Sequence, residues 1–273
     1  MLSSCVAQER DGGIYGLAGV VMVLVVGCVV GCGGCGGEPR SPASVGDAGA
    51  SQSQDAGQVD PTMPPGDANG HPGDAAQTQS AADRIRARVA SCTQISNGLF
   101  ATDDETQPEI PFCDMGDAVF WNADMDIDCD GVSTALCNET TDPDFLPDTT
   151  AHTSNGMPLD AAELPYVVVP QASDEFDFRA AGLDLGTVVL VVHGDKIDFG
   201  IIGDTGPAHI IGEASYAMAK RLGINPNPSN GGTGKGVIYV AFKGKASIVK
   251  KNESHDEAVT LGKARALKLF GAP

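Results

Sequence analysis

Residues 199–223 read FGIIGDTGPAHIIGEASYAMAKRLG, and this stretch supplies the strands and the helix around which we expect the domain to fold. The apolar run Phe199–Ile202 predicts a short buried strand, and Gly203 and Gly206-Pro207 after it predict a turn. Asp204 is therefore expected at the end of a strand. Ile210-Ile211 indicate a second strand beyond the turn.

A short helix is predicted over residues 213–222, where small and apolar residues recur every four positions and Gly223 follows the last turn. Glu213 would lie at the helix N-terminus, where a negative charge is favoured. Asp204 and Glu213 are thus two carboxylates in an apolar, glycine-rich frame. Glycoside hydrolysis uses such a pair, because one carboxyl group protonates the leaving oxygen while the other activates water or attacks. The structural alternative is that Asp204 caps a turn and Glu213 caps the helix.

Five segments carry a resemblance to a known family. In chain order they read ADMDIDCDG at 123–131, LPYVVVP at 164–170, GIIGDTGP at 200–207, IIGEASYAMAK at 210–220 and LGINPNPSNGG at 222–232. Together, over roughly Cys113 to Phe242, they resemble the signature segments of the fungal and bacterial chitosanases of glycoside hydrolase family 75. The resemblance implies an inverting hydrolase whose Asp and Glu match Asp204 and Glu213, with carboxyl groups about 6.5–9.5 Å apart. We assign Glu213 as general acid and Asp204 as general base, although the environment of each group, not its identity, decides these roles.

The densest carboxylate cluster is the run Asp124, Asp126, Asp128 and Asp130, followed by Gly131. Three interpretations stay open: binding of substrate ammonium groups, a nonstandard Ca²⁺ site at Asp126, Asp128 and Asp130, or a solvated acidic strand. The pattern D-x-D-x-D-G opens like a calcium loop, but the closing Glu is missing. The family resemblance favours the first interpretation, with Asp126 and Asp128 on one face if the run is extended.

Two aromatic residues complete the predicted substrate-binding set. Trp121 is the only tryptophan, and its ring either stacks on a sugar or fills the core. Tyr216 follows Glu213 by three positions and is counted with the substrate-binding residues. Apart from the Ca²⁺ alternative, we expect no cofactor.

The charge of the chain is strongly negative, with 36 acidic and 17 basic residues. Its distribution is one-sided, because residues 89–178 contain nineteen Asp and Glu but no Lys or Arg. Such a surface repels nucleic acid and anionic lipid and attracts polycations. Chitosan, a polymer of glucosaminium units, is such a polycation. The alternative is that the acidity serves solubility alone.

The N-terminal part of the chain predicts export. Residues 1–32 are read as a signal peptide or lipoprotein signal, with Cys28 or Cys32 as the lipidated residue, and retention as a membrane span is the alternative. Residues 33–83 are read as a disordered linker rich in Gly, Ala, Pro, Ser and Asp, and residues 84–273 as the catalytic domain. The expected location is extracellular or in the cell envelope.

Four cysteines remain in the predicted domain, an even number that suits an oxidising compartment. Pairing of Cys92 with Cys113 and of Cys129 with Cys137 is predicted on nearest-neighbour grounds. The alternative is a zinc site of four thiolates, although no CxxC pair occurs among them.

The hydrophobic pattern predicts a mainly β domain with one or two helices. Thr187–Val192 and Lys196–Ile202 predict a hairpin, Val237–Phe242 predicts a further strand, and Glu257–Phe270 predicts a closing helix. The order of strand, Gly-Asp turn and Gly-Glu resembles the double-psi β-barrels of lytic transglycosylases. We therefore expect a compact six-stranded barrel.

These observations lead to one main hypothesis and two alternatives. The main hypothesis is a secreted, monomeric endo-chitosanase that cleaves β-1,4 linkages between glucosamine residues with inversion. The alternatives are a barrel enzyme acting on peptidoglycan and a non-catalytic lipoprotein that binds calcium or polycations.

Overall fold

The structure is a computed structural model that describes residues 80–271. The predicted signal and the predicted linker as far as residue 79 lie outside the described residues. The secondary-structure elements are, in chain order, α1 (Ala81–Arg88), β1 (Thr93–Gln94), β2 (Cys113–Asp114), β3 (Ala118–Asp128), β4 (Tyr166–Pro170), β5 (Val188–His193), β6 (Lys196–Gly206), β7 (Glu213–Ser215), α2 (Tyr216–Leu222), β8 (Thr233–Phe242), a 3₁₀ turn (Lys245–Ser247) and α3 (His255–Phe270).

Six of the strands form a closed barrel. Their order is β3-β7-β4-β6-β5-β8, and β8 pairs back onto β3 to close the sheet. The β3–β7 and β4–β6 pairs are parallel, whereas the other pairs of the barrel are antiparallel. The short strands β1 and β2 continue the sheet beside β3. The predicted six-stranded barrel is confirmed, and the described residues contain three α-helices instead of one or two.

The β5–β6 hairpin forms where the sequence predicted it. It turns at Gly194-Asp195, and Gly194 has a φ of 57°, which glycine adopts without strain. The strand β6 then runs on to Gly206, so Asp204 lies inside a strand and not at its end.

A β-bulge explains why Gly203 does not start a turn. Val167 pairs with Ile202 and Val168 with Asp204, so Gly203 is an extra residue without a partner on β4. A Cβ at position 203 would lie 2.6 Å from the Cβ of Tyr166, which excludes a side chain at this position. The glycine is therefore needed for close packing between strands, and the turn predicted at Gly203 was wrong. The strand ends at Gly206, where Gly206-Pro207 also predicted a turn.

The segment that carries Glu213 also differs from the prediction. Glu213 belongs to β7, because residues 213–215 pair with β3 and residues 213–214 also pair with β4, and α2 begins only at Tyr216. The hydroxyl of Ser215 caps α2 by accepting a hydrogen bond from the Met218 N–H. Ile210-Ile211 form a loop, in which Ile210 makes one isolated bridge to Ala101. Glu213 is thus held by a sheet and not by a helix N-terminus.

Both faces of the barrel wall are buried, which is why its strands read as nearly continuous apolar runs. Alternate residues of β3 enter two different hydrophobic clusters, one with the apolar residues of α1 and α3 and one with those of α2. Trp121 belongs to the second cluster, is 1% exposed and stacks on Tyr239 with ring centroids 5.1 Å apart. The core interpretation of Trp121 is therefore correct, and its prediction as a sugar-stacking residue was wrong because neither face of the ring is open.

The two predicted disulfides are confirmed. Cys92 bonds to Cys113, which ties the segment after α1 to β2, and Cys129 bonds to Cys137 directly after β3. The alternative zinc site is wrong, because its thiols are used in these bonds. Within residues 80–271, no helix combines the length and the apolar character needed to cross a bilayer.

Candidate active site

Asp204 and Glu213 lie in one row across the barrel wall. Val168 on β4 pairs with Asp204 on one side and with Glu213 on the other, and Glu213 pairs in turn with Asp126 on β3. Residues paired directly across strands project to the same face of a sheet. The two candidate catalytic carboxylates and Asp126 therefore share one face, with a single strand between Asp204 and Glu213.

The geometry of the row sets the separation of the two acids. Two strand spacings place the Cα atoms of Asp204 and Glu213 about 9.5 Å apart. Glu213 reaches towards β6, because its Oε2 lies 3.3 Å from the position that a Cβ on Gly206 would occupy. Gly206 lies two residues beyond Asp204 on the same strand, about 6.6 Å along it. The Glu213 carboxyl group thus lies beside the end of β6 that carries Asp204.

Asp204 is held by donors that all reach one of its two oxygens. Its Oδ1 accepts hydrogen bonds from the Thr150 N–H at 2.9 Å, the Thr150 hydroxyl at 2.6 Å and the Thr205 N–H at 2.7 Å. Among the described residues, no donor reaches its Oδ2. The side chain is 7% exposed, so the donors fix the carboxylate in one orientation with one oxygen uncommitted.

A cavity of about 370 Å³ lies beside Glu213 and is lined by carboxylates without any Lys or Arg. Asp204 does not line this cavity. Its negative charge nevertheless contributes to the raised pKa of three residues that do line it, Asp128, Asp130 and Glu213. The full lining of the cavity is Asp126, Ile127, Asp128, Asp130, Asp142, Asp144, Glu213, Pro228, Ser229, Asn230 and Gly231.

Glu213 also lines a second cavity. This cavity, of about 220 Å³, shares Asp126 and Glu213 with the first and is bounded by Thr102, Asp103 and Asp104. A third cavity of about 1020 Å³ shares Thr102 with the second and is lined further along by Asp124 and Lys235. We call these three neighbouring spaces, which share wall residues, the trough. Glu213 lines two of them.

Burial raises the pKa of three carboxyl groups that line the first cavity: Asp128, Asp130 and Glu213. Burial, reinforced by the charges of Asp126, Asp130 and Asp204, raises the pKa of Glu213 to about 7. Burial beside Glu213 raises the pKa of Asp128 well above its ordinary value, and burial raises the pKa of Asp130 to about 6. Because no cation offsets these charges in the first cavity, Glu213 is protonated below about pH 7, as a general acid must be.

The predicted acidic cluster divides between two cavities. Asp126, Asp128 and Asp130 line the first cavity together with Glu213, as expected for an extended run on one face. Asp124 lines the third cavity instead, is 4% exposed, and its Oδ1 has no hydrogen-bond partner. Burial, with the charge of Asp126 as the second cause, raises the pKa of Asp124 to about 8.

The remaining predicted site residues are Tyr216 and the three proposed calcium ligands. Tyr216 opens α2, is half-buried against both hydrophobic clusters and does not line the first cavity. Within the described part of the chain, no three His, Cys, Asp or Glu side chains converge in a way that could hold a metal ion. Asp126, Asp128 and Asp130 thus form an acidic wall, and the structure gives no support to a Ca²⁺ site.

Three residues near the acids were not identified from the sequence. Asp142 and Asp144 come from the loop after the Cys129–Cys137 disulfide and face the first cavity, and Thr150 comes from the same loop. The absence of Lys and Arg between residues 89 and 178 was the signal that this loop belongs to an acidic surface. No local pattern marked Thr150.

Comparison with known proteins identifies the family that this sequence matches. Residues 125–268 match the family described as fungal chitosanase of glycosyl hydrolase group 75. An endo-chitosanase of Aspergillus oryzae is 34% identical in an alignment over 150 residues that covers 48% of this chain and 58% of that protein. Endo-chitosanase C of Aspergillus oryzae is 30% identical over 149 residues, covering 53% of this chain and 37% of that protein. An endo-chitosanase of Aspergillus fumigatus is 27% identical over 172 residues, covering 58% and 72%. The chain thus spans between about a third and three quarters of the relatives that it matches.

Proposed function

Because this chain belongs to the glycosyl hydrolase group 75 family, as its motifs predicted, we propose that it is an endo-chitosanase. In this proposal it hydrolyses β-1,4 linkages between glucosamine residues of chitosan with inversion at the anomeric carbon. The observation that carries the proposal is the row across β6, β4 and β7. It puts Asp204 and Glu213 on one face, next to a trough that is lined by carboxylates.

The two acids have different roles in the proposed reaction. Glu213 gives its proton to the glycosidic oxygen as the bond from that oxygen to the anomeric carbon breaks. Asp204 takes a proton from a water molecule whose oxygen forms the new bond to the anomeric carbon from the opposite side. The raised pKa of Glu213, about 7, supports its role as acid, and the uncommitted Oδ2 of Asp204 supports its role as base.

The substrate is recognised through its positive charge. Each glucosaminium unit carries an ammonium group, and Asp126, Asp130, Asp142 and Asp144 supply carboxylates along the first cavity. Asp128 is buried, and the charge of Glu213 is the second cause, after burial, of its raised pKa. Electrostatic attraction of a polycation into a negative trough raises the local substrate concentration.

Isosteric replacement of each acid tests the proposal. Asp204→Asn and Glu213→Gln keep the shape of the side chains but can neither accept nor donate the catalytic proton. We expect each variant to release fewer reducing ends from chitosan by at least about a hundredfold, within the range that general acid–base catalysis contributes. The matched control is Asp174→Asn, an exposed residue outside the trough. Near-full activity of either variant would show that the assignment is wrong.

The stereochemistry is tested separately. Inversion of a β linkage gives the α-anomer as the first product, which proton NMR detects before mutarotation. A β-anomer would exclude inversion, while leaving the chitosanase activity itself intact.

Release of reducing ends from peptidoglycan but not from chitosan would favour the alternative barrel enzyme. Binding of glucosamine oligomers without any cleavage would favour a binding protein.

Export and domain organisation are proposed from the sequence. We infer that residues 1–32 direct export, with lipidation at Cys28 or Cys32, that residues 33–83 are a linker, and that residues 84–273 act as a monomeric catalytic domain. Metabolic labelling with a fatty acid, compared between the unaltered chain and a Cys28→Ala, Cys32→Ala double variant, tests the anchor. Labelling that persists in the double variant would contradict it.

A further inference from the structure

Thr150 donates two hydrogen bonds to Asp204, and Thr205 donates one. Its main-chain N–H and its hydroxyl both donate to Oδ1, at 2.9 and 2.6 Å, and the Thr205 N–H donates to the same oxygen. Charge-assisted hydrogen bonds of this length are about twice as strong as neutral ones. Three donors on one oxygen hold the carboxylate in a single orientation.

The hydroxyl groups form a chain with a fixed direction. The Thr150 hydroxyl has one proton, and the carboxylate oxygen of Asp204 can only accept it. The Thr205 hydroxyl lies 2.8 Å from the Thr150 oxygen, so it must donate to that oxygen. The protons therefore point from Thr205 to Thr150 to Asp204, and each bond polarises the next.

The main chain of Thr150 is held in place without its hydroxyl. The Ala151 N–H donates to the Gly203 carbonyl at 2.9 Å, which fixes the loop beside the bulge of β6. The Thr149 hydroxyl donates to the Ala151 carbonyl and accepts from the Leu159 N–H. Removal of the Thr150 hydroxyl is thus expected to leave the loop and the N–H bond to Asp204 in place.

We propose that Thr150 is the positioning residue of the general base. This inference rests on the proposed function. With Oδ1 saturated by three donors, the proton taken from the attacking water goes to Oδ2, and the water oxygen bonds to the anomeric carbon. In this role the Thr150 hydroxyl sets which oxygen of Asp204 faces the water.

The test compares three substitutions in the full chain. Thr150→Val keeps the shape and loses the hydroxyl, Thr150→Ser keeps the hydroxyl, and Thr140→Val removes an exposed hydroxyl that makes no hydrogen bond among the described residues. We expect Thr150→Val to lower kcat on glucosamine oligomers about ten- to a hundredfold, because misplacement of a catalytic group by about 1 Å has effects of that size. KM should change by less than about twofold, since ground-state binding is unaltered.

Further readouts separate positioning from a purely structural role. Thr150→Ser should retain kcat within about threefold of the unaltered chain, and Thr140→Val should retain it fully. Thermal unfolding midpoints of the three variants should agree.

The possible results separate the positioning role of Thr150 from the proposed chitosanase activity. Unchanged kcat in Thr150→Val, or an equal loss in Thr150→Ser, would overturn the positioning role while the chitosanase proposal stands. A lower midpoint in Thr150→Val that accounts for the loss of activity would also overturn it. If the unaltered chain leaves chitosan intact, the proposed function fails and this inference fails with it.

Discussion

Asp124 is predicted to make the protein less stable as the pH rises. Its carboxyl group is 4% exposed, its Oδ1 lies against Gly212 without a hydrogen-bond partner, and its pKa rises from 3.8 to about 8 on folding. A carboxyl group with a raised folded pKa binds its proton more tightly in the folded state. Its contribution to stability is therefore complete below about pH 4 and is lost as the pH rises towards 8.

The magnitude follows from the size of the shift. One pKa unit corresponds to about 1.4 kcal/mol, so the shift from 3.8 to about 8 sets a ceiling of about 5 kcal/mol at pH 8. Relaxation of solvent and neighbouring groups around the charge reduces this energy. We expect ionisation of Asp124 to lower the free energy of unfolding by roughly 2–4 kcal/mol. For a domain of this size, that corresponds to roughly 5–15 °C in Tm.

Asp124→Asn is the corresponding experiment. The amide keeps the shape of the side chain and carries no charge, so the variant should melt above the unaltered protein at pH 8 and close to it at pH 4. Differential scanning calorimetry at the two pH values measures this, with Asp174→Asn as the exposed control. An Asp124→Asn variant that is no more stable at pH 8, or that gains equally at both pH values, would refute the reasoning.

Three other predictions concern the trough and the barrel wall. Above about pH 7, kcat on glucosamine oligomers should fall about tenfold per pH unit because Glu213 loses its proton, and a flat profile up to pH 9 would contradict its role as the acid. Gly203→Ala should lower the free energy of unfolding by about 1–3 kcal/mol, because its Cβ would meet Tyr166 at 2.6 Å. Chemical denaturation measures this against Gly234→Ala, whose Cβ would meet no atom within 4 Å. Raising NaCl from about 0.1 to about 1 M should raise KM several-fold, since the screening length falls from about 10 to about 3 Å, and an unchanged KM would argue against recognition by charge.

Local patterns predicted most elements of the barrel. The hairpin at Gly194-Asp195, the apolar run of β4 and the apolar half of β8 each depend on residues close in sequence, and both disulfides join neighbouring cysteines. Asp204 and Glu213 were also identified from the sequence, through the motifs around them. Their placement on one face is consistent with that identification.

Contacts between distant residues account for the errors. Gly203 looks like a turn residue, but its conformation is set by Tyr166 on another strand. Glu213 precedes a good helix sequence, yet pairing with Asp126 and Val168 draws it into the sheet. Trp121 is buried because Tyr239 on β8 stacks on it. None of these partners is visible in a local window of sequence.

The bulge at Gly203 does not set the register of the active pair. Because Gly203 has no partner on β4, a strand without it would still place Asp204 opposite Val168 and on the same face as Glu213. A homologous chain that is one residue shorter here and keeps both acids is therefore expected to keep the pair together. An alignment gap at this position is thus no sign of lost hydrolysis, whereas a larger residue at position 203 would collide with Tyr166.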